Sequence, residues 1–191
     1  MLVATGVEPY DRFTWWLEVA PVLVGAAILV PTARRFPLSG LLYVLLTLHA
    51  VVLCVGGHST YARVPAGEWV QELLGLARNP YDRFGHLAQG FVPAVLVREL
   101  FLRTSPLRRG KWLVFLQVAV PLAFSATYEL LEWLAAETTG TAADAFLGTQ
   151  GDVWDTQWDM FCALVGASLA AAFLGRAHDR SLRRLGAGEA S

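Results

Sequence analysis

Five blocks of apolar sequence, each close to the length that crosses a bilayer, constrain this chain more than any other feature. They run over residues 13–31, 38–56, 84–102, 112–134 and 158–175. A helix needs about 20 apolar residues to span roughly 30 Å of hydrocarbon. The expected fold is therefore an all-α, polytopic transmembrane bundle of five spans, a single integral membrane domain over residues 1–191. Composition agrees, with 55% hydrophobic and 16% charged residues, where a soluble domain carries about 25% charged. A net charge of −1 excludes a nucleic-acid binder that runs on positive charge. No Walker-type loop or dinucleotide fingerprint is present. With 191 residues the spans themselves must build any site. Cys54 and Cys162 both fall inside apolar blocks and read as small packing residues, not a disulfide.

The loops set the expected orientation. Arg34 and Arg35, then Arg103, Arg108, Arg109 and Lys111, then Arg176, Arg180, Arg183 and Arg184 occupy alternate segments, ten basic residues in all. The opposite side carries four, Arg12, Arg63, Arg78 and Arg83. Basic residues in short loops mark the cytoplasmic side, so the N-terminus is expected outside and the C-terminus in the cytoplasm. Residues 1–9 lack a basic start and are too short for a cleavable signal peptide. So little sequence ahead of an outside-to-inside span reads as the stub of an earlier helix.

The longest connection, residues 57–81, lies on the outer side in this scheme. Within it, residues 66–77 place Trp69, Leu73 and Leu76 at helical spacing opposite Glu68 and Glu72. The pattern fits a helix lying at the outer interface with its Trp at headgroup depth, or equally a loop helix packed on the bundle.

Ionisable residues inside spans are expensive and usually face a bundle interior or cavity. Here they gather at the outer ends. Asp82, His86 and Gln89, then Ser125, Glu129 and Glu132, then Asp155, Asp159 and Cys162 each follow an i, i+4, i+7 spacing, one stripe per helix. The second span adds His49 and, just past its end, His58. Converging stripes would bring together five carboxylates and a histidine. Such a group needs protons or a cation, and carboxylates with imidazoles suit divalent ions such as Mg, Mn or Zn. Candidate metal ligands are His86, His58, Asp155, Asp159 and Asp152. Glu129, Glu132 and Asp82 are the candidate general bases or proton carriers. The structural readings are plain. Asp82 and His86 could simply be a capping pair, and Asp152 and Asp155 helix caps. His49 would be an interhelical hydrogen-bonder, and His178 a surface residue of the basic tail. Glu18 and the Arg98–Glu99 pair would serve helix ends or interhelical pairing. Trp133, Trp154 and Trp158 fit an outer aromatic belt. Gly166, Ala167, Ala170 and Ala171 give the last span small faces for close packing.

The runs Asp11-Arg12-Phe13-Thr14-Trp15, Gly56-Gly57-His58-Ser59-Thr60-Tyr61, Asp82-Arg83-Phe84-Gly85-His86, Tyr128-Glu129-Leu130-Leu131-Glu132-Trp133 and the stretch 145–161 closely resemble the YjdF family of bacterial inner-membrane proteins. The likeness covers about residues 8–182. It implies a multi-pass protein of the bacterial inner membrane and assigns no activity. That family typically has a further helix ahead of the first span found here. A fainter likeness to VanZ-like membrane proteins rests on Asp82 and His86, then Glu129 and Glu132, then Asp155 and Asp159.

Two functional readings follow. In one, an outward-facing site, metal-bound, acts on a lipid-linked or envelope substrate through a metal-activated water, since no nucleophile motif is visible. In the other, the same acids titrate or bind a cation in a small coupled transporter. A non-catalytic envelope accessory subunit explains the acids least well.

Overall fold

The structure, a computed structural model, describes residues 1–139 and 149–189. Among the described residues every regular element is helical: α1 (Leu2–Thr5), α2 (Arg12–Thr32), α3 (Gly40–Ser59), a 3₁₀ turn (Tyr61–Arg63), α4 (Pro65–Leu74), α5 (Tyr81–Thr104), α6 (Lys111–Thr139), α7 (Asp155–Phe173) and α8 (Gly175–Glu189). Each expected span lies on one of the long helices. By length and apolarity α2, α3 and α6 can cross a membrane, and α7 with α8 makes a fourth if that pair, bent by 65°, is one span. The hydropathy of α5 falls short because it carries Asp82, Arg83, Arg98, Glu99 and Arg103. Its position explains how it tolerates them. It packs on α3, α6 and α7, so most of these groups meet protein and not lipid.

Among the described residues the interface of α5 with α7 is the most extensive, and small residues make it. A Cβ on Gly90 would collide with the Ala163 backbone, and one on Gly166 with the Leu87 backbone. The two helices therefore touch main chain to main chain, as small faces permit. Midway along, Leu42, Ala94, Val95, Ala167 and Ala170 form a buried apolar cluster between α3, α5 and α7. A second cluster, Trp15, Val19 and Cys54, joins α2 to α3. Cys162 sits half-buried on α7, and both thiols are free.

Helix α2 starts on Asp11, whose carboxylate accepts from the Thr14 N–H at 2.6 Å, a normal N-cap. It carries Pro21, which has no N–H to offer the Leu17 carbonyl one turn back. The Tyr128 hydroxyl of α6 donates to that carbonyl at 3.1 Å, so a proline in one helix creates the acceptor for its neighbour.

Helix α4 leaves Trp69, Leu73 and Leu74 each 64% exposed. Its apolar face is thus not packed on the bundle.

The basic end departs from expectation. The tail forms α8, and His178 is fully buried, not on the surface. Arg98 Nη1 lies 2.8 Å from His178 Nδ1 and can only donate. Nδ1 is therefore the acceptor, and the ring proton sits on Nε2, which donates to Glu99 at 2.9 Å. Glu99 also accepts from the Ser39 N–H and from Arg103. The Ser181 hydroxyl accepts from the Leu41 N–H at 3.0 Å. Glu99 and α8 thereby satisfy orphan N–H groups at the start of α3, which is why a charged helix docks here. Arg98 and Arg109 both donate to Asp179. Burial raises the Asp179 carboxyl, but those two guanidinium bonds outweigh it and hold its pKa below the ordinary value.

A carboxylate cluster at the end of the bundle

The site begins in the turn between α4 and α5. Asn79 is buried to 1% exposure, in space left by the absence of a side chain at Gly67. Its carboxamide donates to the Val64 carbonyl and accepts from the Tyr81 N–H, which fixes the first turn of α5. Its backbone exchanges two hydrogen bonds with one side chain: the Asn79 N–H donates to Gln150 Oε1 at 2.9 Å, and Gln150 Nε2 donates to the Asn79 carbonyl at 3.1 Å.

The turn so held delivers Arg78 into the bundle, 8% exposed. Its guanidinium donates to Asp155 of α7 and, at 3.1 Å, to Asp82 of α5, and lies 3.8 Å from Asp152. In the sequence Arg78 reads only as loop charge. No spacing rule links it to Asp155, 77 positions away.

Beyond Arg78, one ligand atom each from Asp82, His86 and Asp159 lies within 4.8 Å of the others. His86 Nε2 is 3.6 Å from Asp82 and 3.7 Å from Glu129 of α6, near but outside hydrogen-bond distance. His86 Nδ1, Glu129 Oε1 and Asp159 Oδ1 are buried without a hydrogen-bond partner. Buried polar atoms are normally satisfied, and these three belong to side chains that make or border the triad. An ion with bonds of about 2.0–2.2 Å sets its ligand atoms roughly 3–4 Å apart, so only slight contraction would close the triad on it.

Other candidates sit differently. Asp155 is buried but engaged by Arg78. Asp152 lies at the rim, paired with Arg83 at 2.6 Å and accepting from the Trp154 N–H. Glu132 is buried at 9% exposure. His58 is not brought to the cluster: its Nδ1 lies 3.0 Å from the Thr5 carbonyl and ties α3 to α1. His49 has a buried Nε2 without a partner on α3, apart from the triad. One further member reads from sequence as a residue of helix ends or interhelical pairing. Glu18 of α2 is 6% exposed and lies in electrostatic reach of Asp82, Glu129 and the Tyr61 hydroxyl. A Cβ on either Gly56 or Gly85 would collide with the Tyr61 ring, so both motif glycines make room for it.

The cluster thus holds six carboxylates, Glu18, Asp82, Glu129, Glu132, Asp155 and Asp159, from four helices. Among the described residues Arg78 is the one guanidinium within 4 Å of any of them apart from the basic end. Such a cluster is fit to hold a cation or to exchange protons, and ill suited to an anion.

Comparison with known proteins agrees with the architecture. A family model described as "Predicted membrane protein (DUF2238)" matches residues 1–180. The chain is 55% identical over 186 residues to "Inner membrane protein YjdF" of Escherichia coli (strain K12), covering 97% of this chain and 89% of that protein. No solved structure matches it. The chain belongs to the DUF2238 family that includes YjdF, and is a multi-pass protein of the inner membrane.

Proposed function

We propose that the chain is a five-span protein with its N-terminus outside and its C-terminus in the cytoplasm. The carboxylate cluster then opens toward the outer face, and α4 lies on the outer interface. The fifth span in this reading is α5. Its polar groups support that: 17 residues from Asp82 to Glu99 at 1.5 Å each put them about 25 Å apart, close to the thickness of the hydrocarbon core. The exposed apolar face of α4 supports the interfacial placement.

The site in this proposal binds a divalent metal through Asp82, His86 and Asp159. Glu129 is a further ligand or the general base, Glu132 carries protons beside it, and Asp155 and Asp152 hold Arg78. The substrate is a lipid-linked or envelope molecule reached from the outer leaflet. The observation that carries the reading is the approach of one ligand atom each from Asp82, His86 and Asp159 to within 4.8 Å of one another, with Glu129 3.7 Å from His86. A transport path is less favoured, because the buried apolar cluster of Leu42, Ala94, Val95, Ala167 and Ala170 lies between the acidic cluster and the Arg98–His178 network.

Elemental analysis of purified protein tests it, with wild type beside His86→Ala and Glu129→Gln. One bound divalent ion per chain, lost in His86→Ala and weakened in Glu129→Gln, is the expected result. No metal in the wild type after loading with Zn, Mn or Mg would overturn the metal and turn attention to proton exchange.

A further inference from the structure

Helix α8 is fixed to the basic end by one face. His178 and Asp179 bind Glu99 and Arg98 of α5, and Ser181 binds the start of α3. With α5 as a span, those α5 partners lie about 25 Å from Asp82, at the far edge of the hydrocarbon core. The 65° bend between α7 and α8 then turns α8 away from the span axis at that level. At about 100° per residue, Arg176, Arg180, Arg183 and Arg184 share an arc of about 100° opposite His178. All four are exposed, and among the described residues none has a carboxylate within 4 Å. The acids of this end are already engaged, Glu99 by His178 and Arg103, and Asp179 by Arg98 and Arg109. The Arg109–Asp179 pair, 3.0 Å apart, also brings the α5–α6 connection against α8. Arg176 and Arg183 stand one turn to either side of Asp179 on its own flank, so Arg109 is set between them. Exposed Arg108 and Lys111 flank it in the chain. Trp112 opens α6 and Phe173 closes α7 at this end, and both rings are exposed.

From this we infer that the seam between α8 and the α5–α6 connection binds an anionic phospholipid of the adjoining leaflet, its phosphate held by Arg109, Arg176 and Arg183. Guanidinium groups carry donors and no acceptor, and their fork matches the paired oxygens of a phosphate. A zwitterionic headgroup would bring a cation of its own into the same seam. The acyl chains supply what a soluble phosphate lacks, contact with the rings of Trp112 and Phe173 at the interface. Basic clefts of this kind beside spans recognise anionic headgroups. The inference rests on the proposed placement of α5 across the membrane and uses none of the Asp82–His86–Asp159 triad.

The test is displacement of spin-labelled phosphatidylglycerol from the full chain in detergent micelles, by unlabelled phosphatidylglycerol or phosphatidylcholine. Phosphatidylglycerol should compete about 25-fold better in the wild type, about fivefold for each of two arginines at the surface. Arg176→Gln and Arg183→Gln should each cut that preference by about fivefold. Both residues are exposed, so Tm and metal content should stay at wild-type level and certify the fold. The double variant Arg34→Gln/Arg35→Gln removes equal charge from the α2–α3 turn at the same end, and should change the preference less than about twofold. An equal fall in that variant would mean a diffuse positive field and overturn the seam. Equal competition by the two lipids, or displacement by glycerol 1-phosphate as effective as by phosphatidylglycerol, overturns the lipid assignment. An impermeant maleimide on Gly186→Cys in sealed vesicles reads the orientation separately, and metal analysis the triad, so each idea can fail alone.

Discussion

Gly90→Ala adds one methyl where α5 meets α7. That Cβ would lie 2.6 Å from the Ala163 carbonyl carbon and 2.8 Å from its Cα. Ordinary carbon contacts fall at about 3.5–4.0 Å, so the helices must part by about 1 Å. Neither partner is a flexible side-chain end that can turn aside. Overpacking of this kind costs about 1–3 kcal/mol, which for a chain of this length lowers the Tm by roughly 2–12 °C. Gly166→Ala acts on the same contact from the other helix, with a Cβ 2.9 Å from the Phe91 nitrogen. Once one substitution has separated the helices, the second finds room. The double variant should therefore lose clearly less than the sum of the two, as coupled neighbours do. Metal sites tolerate about 0.2 Å of error, and the parted helices carry Asp82 and His86 on one side and Asp159 on the other. Bound metal should fall together with Tm. Tryptophan fluorescence during thermal unfolding in detergent, followed by elemental analysis, reads both. A Gly90→Ala protein with wild-type Tm would refute the backbone contact. Additive losses in the double variant would refute the shared origin.

Arg78→Ala leaves Asp82 and Asp155 buried beside each other without their cation, and should cost about 3–5 kcal/mol in an unfolding titration; adding Asp155→Asn should recover much of it, and no recovery would remove Arg78 from the centre of the cluster. Tyr128→Phe strips the donor from the Leu17 carbonyl and should destabilise by about 1–3 kcal/mol. In a Pro21→Ala background that carbonyl regains a helical N–H, so the same Tyr128→Phe change should cost much less; an equal cost in both backgrounds refutes the link. The Asp179 carboxyl titrates below its unfolded value of about 3.9. Its contribution to α8 docking is therefore complete above that pH and is lost as pH falls through the lower, folded value. Hydrogen exchange of the α8 amides should be flat from pH 7 to about pH 5, after correction for intrinsic rate, and rise only below about pH 4. Undocking already at pH 6 would contradict it.

Much of the architecture was legible because lipid imposes a simple rule on span length. The five expected blocks lie within α2, α3, α5, α6 and α7 to within a few residues, apart from longer ends on α5 and α6. The polar stripes were legible for a related reason, since helical period alone assigns Asp82 to His86 and Asp155 to Asp159. Period says nothing about which helix a stripe faces. Glu18 thus looked like an end residue, although Tyr61 reaches it from the turn after α3. His58 seemed placed for the cluster by depth, yet its helix turns it toward α1. His178 misled for another reason. The arginines around it speak for solvent, but Glu99 and Arg98, about 80 positions earlier, need the very groups that His178 carries. Local composition cannot register a demand made from that far away.

The exchange between Gln150 and Asn79 makes one side chain behave as a length of main chain. A carboxamide presents donor and acceptor side by side, as a peptide unit does, and glutamine has the reach to present both at once. Glutamate offers two acceptors and would set an oxygen against the Asn79 carbonyl; asparagine is a methylene short; leucine has the shape and none of the chemistry. Position 150 is thus a two-pronged plug with a single natural fitting, and it pins the turn that aims Arg78.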